Sequence, residues 1–136
     1  MDGMNELIKR CLNLSREERS RLIVALKDSL SEDGLMGAKN RFSVLHKIAT
    51  EICGHGILSA KRDFNLVIGR RMIAYQMRVE GYSLQSIGIQ MVKHHASIMH
   101  MVKMMEDVFE HPDILKLEMS YWTEFQKRLK EYETNR

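Results

Sequence analysis

Apolar residues recur every three or four positions along most of the chain, which is the spacing expected for the buried face of an α-helix. Glycines, a proline and polar turns interrupt this pattern, so it divides into separate helices. From residue 41 onward the predicted helices run from Arg41 to the glycines at 54 and 56, from Phe64 to Gly81, from Leu84 to Met91, from His94 or His95 to His111-Pro112, and from about Asp113 to Glu133. Ser83 precedes the short third helix and is suited to cap it.

Two further helices are predicted before residue 41. Asn5 to Leu12 form the first, and a capping box at residues 15–18 begins the second, which ends near Leu30. Residues 31–40 contain two glycines among polar residues, which is typical of a linker. We therefore expect an N-terminal helical hairpin over 1–38 for packing or dimerisation, a helical domain over 39–111, and a C-terminal helix over 112–136 that packs on that domain.

Each predicted helix carries an apolar stripe that is expected to face a common core. In the short helix the inward residues are Leu84, Ile87 and Met91. The stripes of the last two helices are Ile98, Met99, Val102, Met105 and Val108, and then Ile114, Leu117, Tyr121, Trp122, Phe125 and Leu129. We expect the aromatic residues to bury the last helix against the bundle, with a dimer interface as the alternative.

The composition favours an all-α protein. The 136 residues suffice for one domain with a smaller appendage, and the β-branched and aromatic runs of strands are missing. No apolar run approaches the roughly 20 residues that a membrane-spanning helix needs, and the N-terminus lacks the apolar segment of a signal peptide. We therefore expect a cytoplasmic protein without a membrane partner. Cys11 and Cys53 lie far apart without metal-ligand spacing, so both are expected to be buried thiols.

Basic residues are concentrated in the middle of the chain. Residues 41–104 contain nine Lys and Arg against three acidic residues, a net charge of +6, and also five of the six histidines. Residues 1–40 are balanced, and residues 105–136 have a net charge of −3. This distribution indicates a phosphate-binding surface, and a basic but merely solvated helix face is the alternative.

Three histidines, His94, His95 and His100, lie within seven residues of one another. As metal ligands they are poorly spaced, because adjacent helical residues point about 100° apart and an i, i+5 pair does not share a face. No carboxylate or cysteine lies at a catalytic spacing from them. We therefore expect no metal, no cofactor and no enzymatic activity. A zinc-dependent enzyme stays an alternative that metal analysis of the purified protein would test.

The order of the predicted helices is that of a helix-turn-helix: a long basic helix, a glycine turn, a short helix, a tight turn, and a helix that begins with polar side chains. Three blocks are more specific, namely ILSAKRD at 57–63, GRRMIAYQMR at 69–78, and SLQSIG at 83–88 followed by HHASIMH at 94–100. Through them the segment from about Phe42 to Val108 resembles the C-terminal DNA-binding domain of the bacterial replication initiator DnaA. The resemblance implies a Trp-repressor-like helix-turn-helix within an all-α bundle, and double-stranded DNA as the partner. The chain contains no P-loop, so the ATPase module of that family is missing.

The resemblance also implies roles for individual residues. Arg62 falls where the basic loop of the family inserts an arginine into the minor groove. Lys93 replaces the signature arginine of the turn, and His95 matches the histidine at the start of the recognition helix. Ser97 keeps a hydroxyl where the family has threonine, and His100 matches a later histidine.

Two residues and one spacing depart from the family pattern. His94 stands where the family has an aspartate that accepts a hydrogen bond from a base, and Ala96 replaces a threonine. The signature is also one residue shorter before Lys93. An imidazole lacks the two acceptor oxygens of a carboxylate, which argues against binding to the usual DnaA box.

The residues that we expect to contact DNA are Lys61, Arg62, Arg70, Arg71, Ser83, Leu84, Gln85, Lys93, His94, His95, Ala96, Ser97 and His100. For Arg70 and Arg71 a phosphate contact and a solvated helix face both remain open. Ser83 is a helix cap whose free backbone N–H groups also suit a phosphate.

The function that these residues predict is sequence-preferring binding to double-stranded DNA. The expected setting is replication or transcription control, or a mobile element, in the bacterial nucleoid. The alternative is a protein-interaction module that has kept the fold and lost DNA binding. A homodimer or a complex with a replication protein is the further partnership that we expect.

Overall fold

The computed structural model describes Arg21 and residues 32–135 of the chain, and for residues 32–35 it describes the backbone alone. Apart from Arg21, the two helices predicted for the N-terminal hairpin, residues 5–12 and 15–30, lie outside these residues. The described part of the chain contains five α-helices and no strand: α1 (Glu32–Cys53), α2 (Phe64–Val79), α3 (Leu84–Met91), α4 (His95–Glu110) and α5 (Lys116–Thr134). The prediction of an all-α bundle is confirmed. None of these helices is long and apolar enough to cross a membrane.

Helix α2 lies at the centre of the bundle. It packs against each of the other four helices, and its buried residues include Met72, Ile73 and Met77. A helix with partners on several sides needs more than one apolar stripe. Accordingly, half of the residues of α2 are buried. Helices α1 and α4 have α2 as their main partner, whereas α3 packs more on α4 and α5 packs more on α1.

The last helix joins the bundle through a cluster of aromatic side chains. Trp122 of α5 contacts Tyr75 of α2 edge-on at 5.4 Å between ring centroids, and Phe109 of α4 at 5.2 Å. Phe125 is fully buried beneath them. Offset and edge-to-face pairs of this kind stabilise a core beyond the area that they bury. The aromatic residues of α5 thus connect three helices of one bundle.

The N-terminal boundary of α1 contradicts the predicted linker over residues 31–40. The helix begins at Glu32 and continues through Gly37 and Ala38, so residues 32–40 are helical. Ala38 is fully buried in the core. Burial of Ala38 compensates for the weak helix propensity of the glycines in this segment. The prediction from sequence took account of the glycines but could not include this burial.

Two predicted apolar stripes are wrong at their N-terminal ends. Met99 is 56% exposed, although it was expected in the core of α4. Residues 112–115 form a turn rather than the start of α5, and Ile114 in this turn is 79% exposed. Leu117, in the first turn of α5, is also exposed. The backbone N–H groups of Ile114 and Leu115 both donate to the carbonyl of His111, and this turn directs Ile114 away from the bundle.

Candidate nucleic-acid interface

An irregular loop over residues 54–63 connects α1 to α2. Gly54 and Gly56, with φ of +94° and +95°, adopt the left-handed conformation that lets the chain leave α1 abruptly. Asn65 in the first turn of α2 donates from its side chain to the carbonyl of Cys53 at 2.6 Å, which ties the two ends of the loop together. Near the far end of the loop, Lys61 and Arg62 are exposed to solvent.

Arg70 lies behind this loop and not on the surface. Its side chain is only 8% exposed, and its guanidinium donates hydrogen bonds to the backbone carbonyls of Ile57, Ser59 and Lys61. Burial lowers the pKa of Arg70, and the nearby Asp63 opposes this shift. The side chain expected to contact a phosphate is therefore directed into the protein.

Arg71 and Arg78 also have protein neighbours. Arg71 is half-buried, and burial lowers its pKa while Glu118 of α5 acts against the shift. Arg78 donates to the carbonyl of Tyr82 at 3.0 Å and closes the turn after α2. Arg71 is therefore partly withdrawn from solvent, whereas Arg78 stays at the surface.

Helix α3 begins with the predicted cap. The Ser83 hydroxyl accepts a hydrogen bond from the Ser86 N–H at 3.0 Å, and donates to the Ser86 hydroxyl at 3.0 Å. Ser83 is itself buried, and Leu84 and Gln85 are half-buried. Because the Ser83 hydroxyl caps the helix, the groups of this helix end that suit a phosphate are the backbone N–H groups of the first turn.

A three-residue turn, Val92 to His94, connects α3 to α4. The Lys93 N–H donates to the Gly88 carbonyl at 2.9 Å, and a Cβ atom at Gly88 would lie 2.5 Å from the Lys93 oxygen. Val92 has φ of +55° and is 84% exposed. A left-handed conformation is unfavourable for a β-branched residue, so the close approach of the two helices determines this backbone. Lys93 is half-buried at the same turn.

His94 caps helix α4. Its Nδ1 accepts a hydrogen bond from the Ala96 N–H at 3.1 Å, so the neutral ring carries its proton on Nε2. The ring also contacts the His95 imidazole at 4.2 Å between centroids. An aspartate at this position would cap the helix in the same way. The two residues differ in the group that is left for a ligand. The neutral His94 ring has the Nε2–H donor, whereas an aspartate has a second acceptor oxygen.

The first turns of α4 combine a buried anchor with exposed polar residues. Ile98 is fully buried, whereas His95, Ala96, Ser97 and His100 are exposed. Met99 and Lys103 are exposed as well, although Met99 was predicted to be buried and Lys103 was not among the predicted DNA contacts. Their spacing contained a signal, since Met99 lies four residues after His95 and Lys103 three residues after His100, which places each pair on one helical face.

The predicted residues fall into two groups in the fold. Ser83, Leu84, Gln85 and Lys93 belong to α3 and its turn, and α3 packs against α4. Lys61 and Arg62 lie on the loop before α2, with Arg70 beneath them. No group of three metal-ligating side chains occurs among the residues that the structure describes.

Comparison with protein-family models, with curated proteins and with solved structures finds no match.

Proposed function

We propose that the protein binds double-stranded DNA through a helix-turn-helix formed by α3, the turn Val92 to His94, and α4. The observation that carries this proposal is the N-terminal end of α4, where Ile98 anchors the helix in the core and His95, Ala96, Ser97 and His100 are exposed. A helix that enters the major groove uses these first residues to contact base edges. The resemblance of SLQSIG and HHASIMH to the DnaA signature supports the same assignment.

The exposed side chains of α4 suit the chemistry of the major groove. Imidazole and hydroxyl groups at His95, Ser97 and His100 can donate to or accept from base edges, and the Ala96 methyl suits contact with a thymine methyl. The His94 Nε2–H is a donor, which suits acceptors such as guanine N7 and O6. The DNA sequence recognised by these groups should therefore differ from one that is recognised through an aspartate at position 94.

Phosphate contacts would come from a few basic side chains. Lys61, Arg62, Lys93 and Lys103 make no ion pair with another described residue, and two of them lie on the loop and two at or after the turn. In this proposal Arg62 enters the minor groove, whose narrow form favours a planar cation. Arg70 is not among these contacts, because its guanidinium is engaged by three carbonyls.

The salt dependence of binding to a labelled duplex of random sequence tests the proposal. With about four basic side chains at the DNA, three on phosphates and Arg62 in the minor groove, a plot of log K against log salt between about 50 and 200 mM should have a slope of roughly −3 to −4. Lys93→Ala should make the slope shallower by about one unit, because one contact is lost. Lys130→Ala on α5 removes the same charge from an exposed position and should leave the slope unchanged.

A protein without affinity for the duplex at low salt would contradict the proposal. The competing function is then a protein-interaction module, which the exposed apolar side chains of Ile114 and Leu117 favour. Measurement of the mass in solution, alone and with candidate partners, distinguishes this function, since it predicts a stable complex without salt-sensitive DNA binding.

A further inference from the structure

Three backbone carbonyls of the loop between α1 and α2 converge on one buried cation. The Arg70 guanidinium donates through Nε to the Ile57 carbonyl, and through Nη2 to the Ser59 carbonyl at 2.6 Å and the Lys61 carbonyl at 2.5 Å. Hydrogen bonds from a charged donor are stronger than neutral ones. Arg70 therefore binds the backbone of the loop at every second residue from 57 to 61.

The loop is also ordered by the fully buried side chain of Ile57 and by the hydrogen bond from Asn65 to the Cys53 carbonyl. Its own hydrogen bonds are those of Ser59, whose N–H and hydroxyl both donate to the Gly56 carbonyl, and the 3.3 Å bond from the Lys61 N–H to the Ser59 hydroxyl. These bonds span residues 56–61, and the Asp63 carbonyl after Arg62 accepts from the backbone N–H groups of Leu66 and Val67. Directly before Arg62, the Lys61 N–H donates to the Ser59 hydroxyl and the Lys61 carbonyl accepts from Arg70, and the bond to Arg70 is the charge-assisted one of the two.

We propose that Arg70 is a positioning residue of the DNA interface, which sets the backbone of residues 57–61 so that Lys61 and Arg62 are presented in one orientation. This inference rests on the proposed function. A preset loop spends less conformational entropy on binding than a loose one, so affinity depends on Arg70 although the residue does not touch DNA. Lysine cannot replace it, because an ammonium lacks the planar array of donors that reaches three separated carbonyls.

The positioning role and a direct phosphate contact predict different results for Arg70→Lys. As a phosphate contact, lysine would preserve the charge, and affinity and salt slope would change little. As the anchor of the loop, Arg70→Lys loses the geometry and weakens binding. The loss should also shrink when Arg62 is absent, and disappear when both positioned side chains, Lys61 and Arg62, are absent.

Trypsin tests the anchoring without DNA, because it cleaves after lysine and arginine and so can cut after Lys61 and Arg62. If local opening of the loop governs cleavage, loss of one charge-assisted hydrogen bond should accelerate it by about tenfold or more. Arg78→Lys is the matched control, since Arg78 makes one exposed bond to the Tyr82 carbonyl, and it should leave cleavage after 61 and 62 unchanged. An Arg70→Lys protein that is cut there no faster than the wild type overturns the anchoring.

A double-mutant cycle on DNA affinity tests the positioning. Arg70→Lys should weaken binding by about tenfold in the wild-type background and by less than about twofold in the Arg62→Ala background, because coupled residues are not additive. The same comparison in a protein with both Lys61→Ala and Arg62→Ala removes every side chain that the loop presents. Equal losses in the wild-type background and in this double background would show that Arg70 acts independently of Lys61 and Arg62 and would overturn the proposal. A wild-type protein that binds no duplex overturns the proposed function itself, while the trypsin result still decides the anchoring.

The wild-type protein offers a measurement that does not depend on folding of the variant. Backbone ¹⁵N order parameters of residues 57–62 should match those of a rigid backbone, about 0.85, because three carbonyls are held by Arg70. Values below about 0.6 in this loop would overturn the proposal whether or not Arg70→Lys folds.

Discussion

At the scale of single residues, the histidines of the chain are in different physical environments. His94 is exposed and uses Nδ1 as a helix cap. His46 is half-buried on α1, where its ring stacks on Phe42 at 5.4 Å between centroids. Burial lowers the pKa of His46, since desolvation disfavours the charged imidazolium. The two residues therefore differ in exposure and in the contacts of the ring.

The lowered pKa of His46 predicts that the folded state loses stability in mild acid. In the unfolded chain a histidine takes up its proton near pH 6.5, whereas folded His46 does so only at lower pH. Between these two values the unfolded state binds more protons, so the free energy of unfolding falls as the pH drops below about 6.5. Urea unfolding of wild type and His46→Leu at a series of pH values measures this effect.

The His46→Leu protein should show a flatter dependence on pH, with the difference confined to pH below about 7. His55→Leu provides a control at an exposed histidine outside the helices. Parallel curves for wild type and His46→Leu between pH 7 and 5 would contradict the assignment of this dependence to His46.

At the scale of elements, the turn between α3 and α4 is determined by backbone packing. Gly88 lies in the last turns of α3, directly beneath the Lys93 carbonyl. Ordinarily a helical glycine is less favourable than alanine by about 1 kcal/mol. At Gly88 the absent side chain instead allows the chain to reverse within three residues.

Replacement of two helical glycines by alanine should therefore have opposite effects. Gly88→Ala places a Cβ atom 2.5 Å from a backbone oxygen, and this steric conflict should lower the free energy of unfolding by about 2 kcal/mol despite the better helix propensity. Gly37→Ala, with no atom within 4 Å of the new Cβ, should raise it by about 0.5–1 kcal/mol. Urea midpoints measure both. A stable Gly88→Ala protein would mean that the turn adapts at little cost.

The helices of this protein show which local features can be predicted without a structure. Ser83, Gly54 and Pro112 mark helix boundaries correctly, because capping and turn formation depend on neighbouring residues. The bounds of α3, Leu84 to Met91, also agree with the prediction. The start of α1 differs, because burial of Ala38 depends on distant parts of the chain.

At the scale of the whole molecule, one arginine connects three helices. Arg41 of α1 binds Glu80 after α2 through two parallel hydrogen bonds of 2.5 and 2.9 Å, and binds Glu133 of α5 at 2.8 Å. Hydrogen bonding to Glu80, together with Glu133, raises the pKa of Arg41 against the effect of burial. The bidentate geometry and partial burial distinguish this group from an ordinary surface ion pair.

Arg41→Met should lower the free energy of unfolding by about 1–2 kcal/mol, because Glu80 and Glu133 then lose a shared partner. Arg128→Met is the matched control. Arg128 also contacts two glutamates, Glu124 and Glu51, but on a more exposed surface, so its replacement should have little effect. Thermal or urea unfolding compares them, and equal effects would show that Arg41 is no more than a surface ion pair.

By itself the sequence determined the helical class, most helix ends and the position of the polar residues at the start of α4. These features follow from the helical period and from capping, which act over a few residues. DNA binding itself stays a prediction.

The tertiary structure alone decided which polar and apolar side chains are available to a partner. Arg70 is directed inward by carbonyls up to thirteen residues away, and Met99 and Ile114 are exposed because none of the five described helices covers them. Periodicity identifies residues that share a face, but only packing determines whether that face is covered.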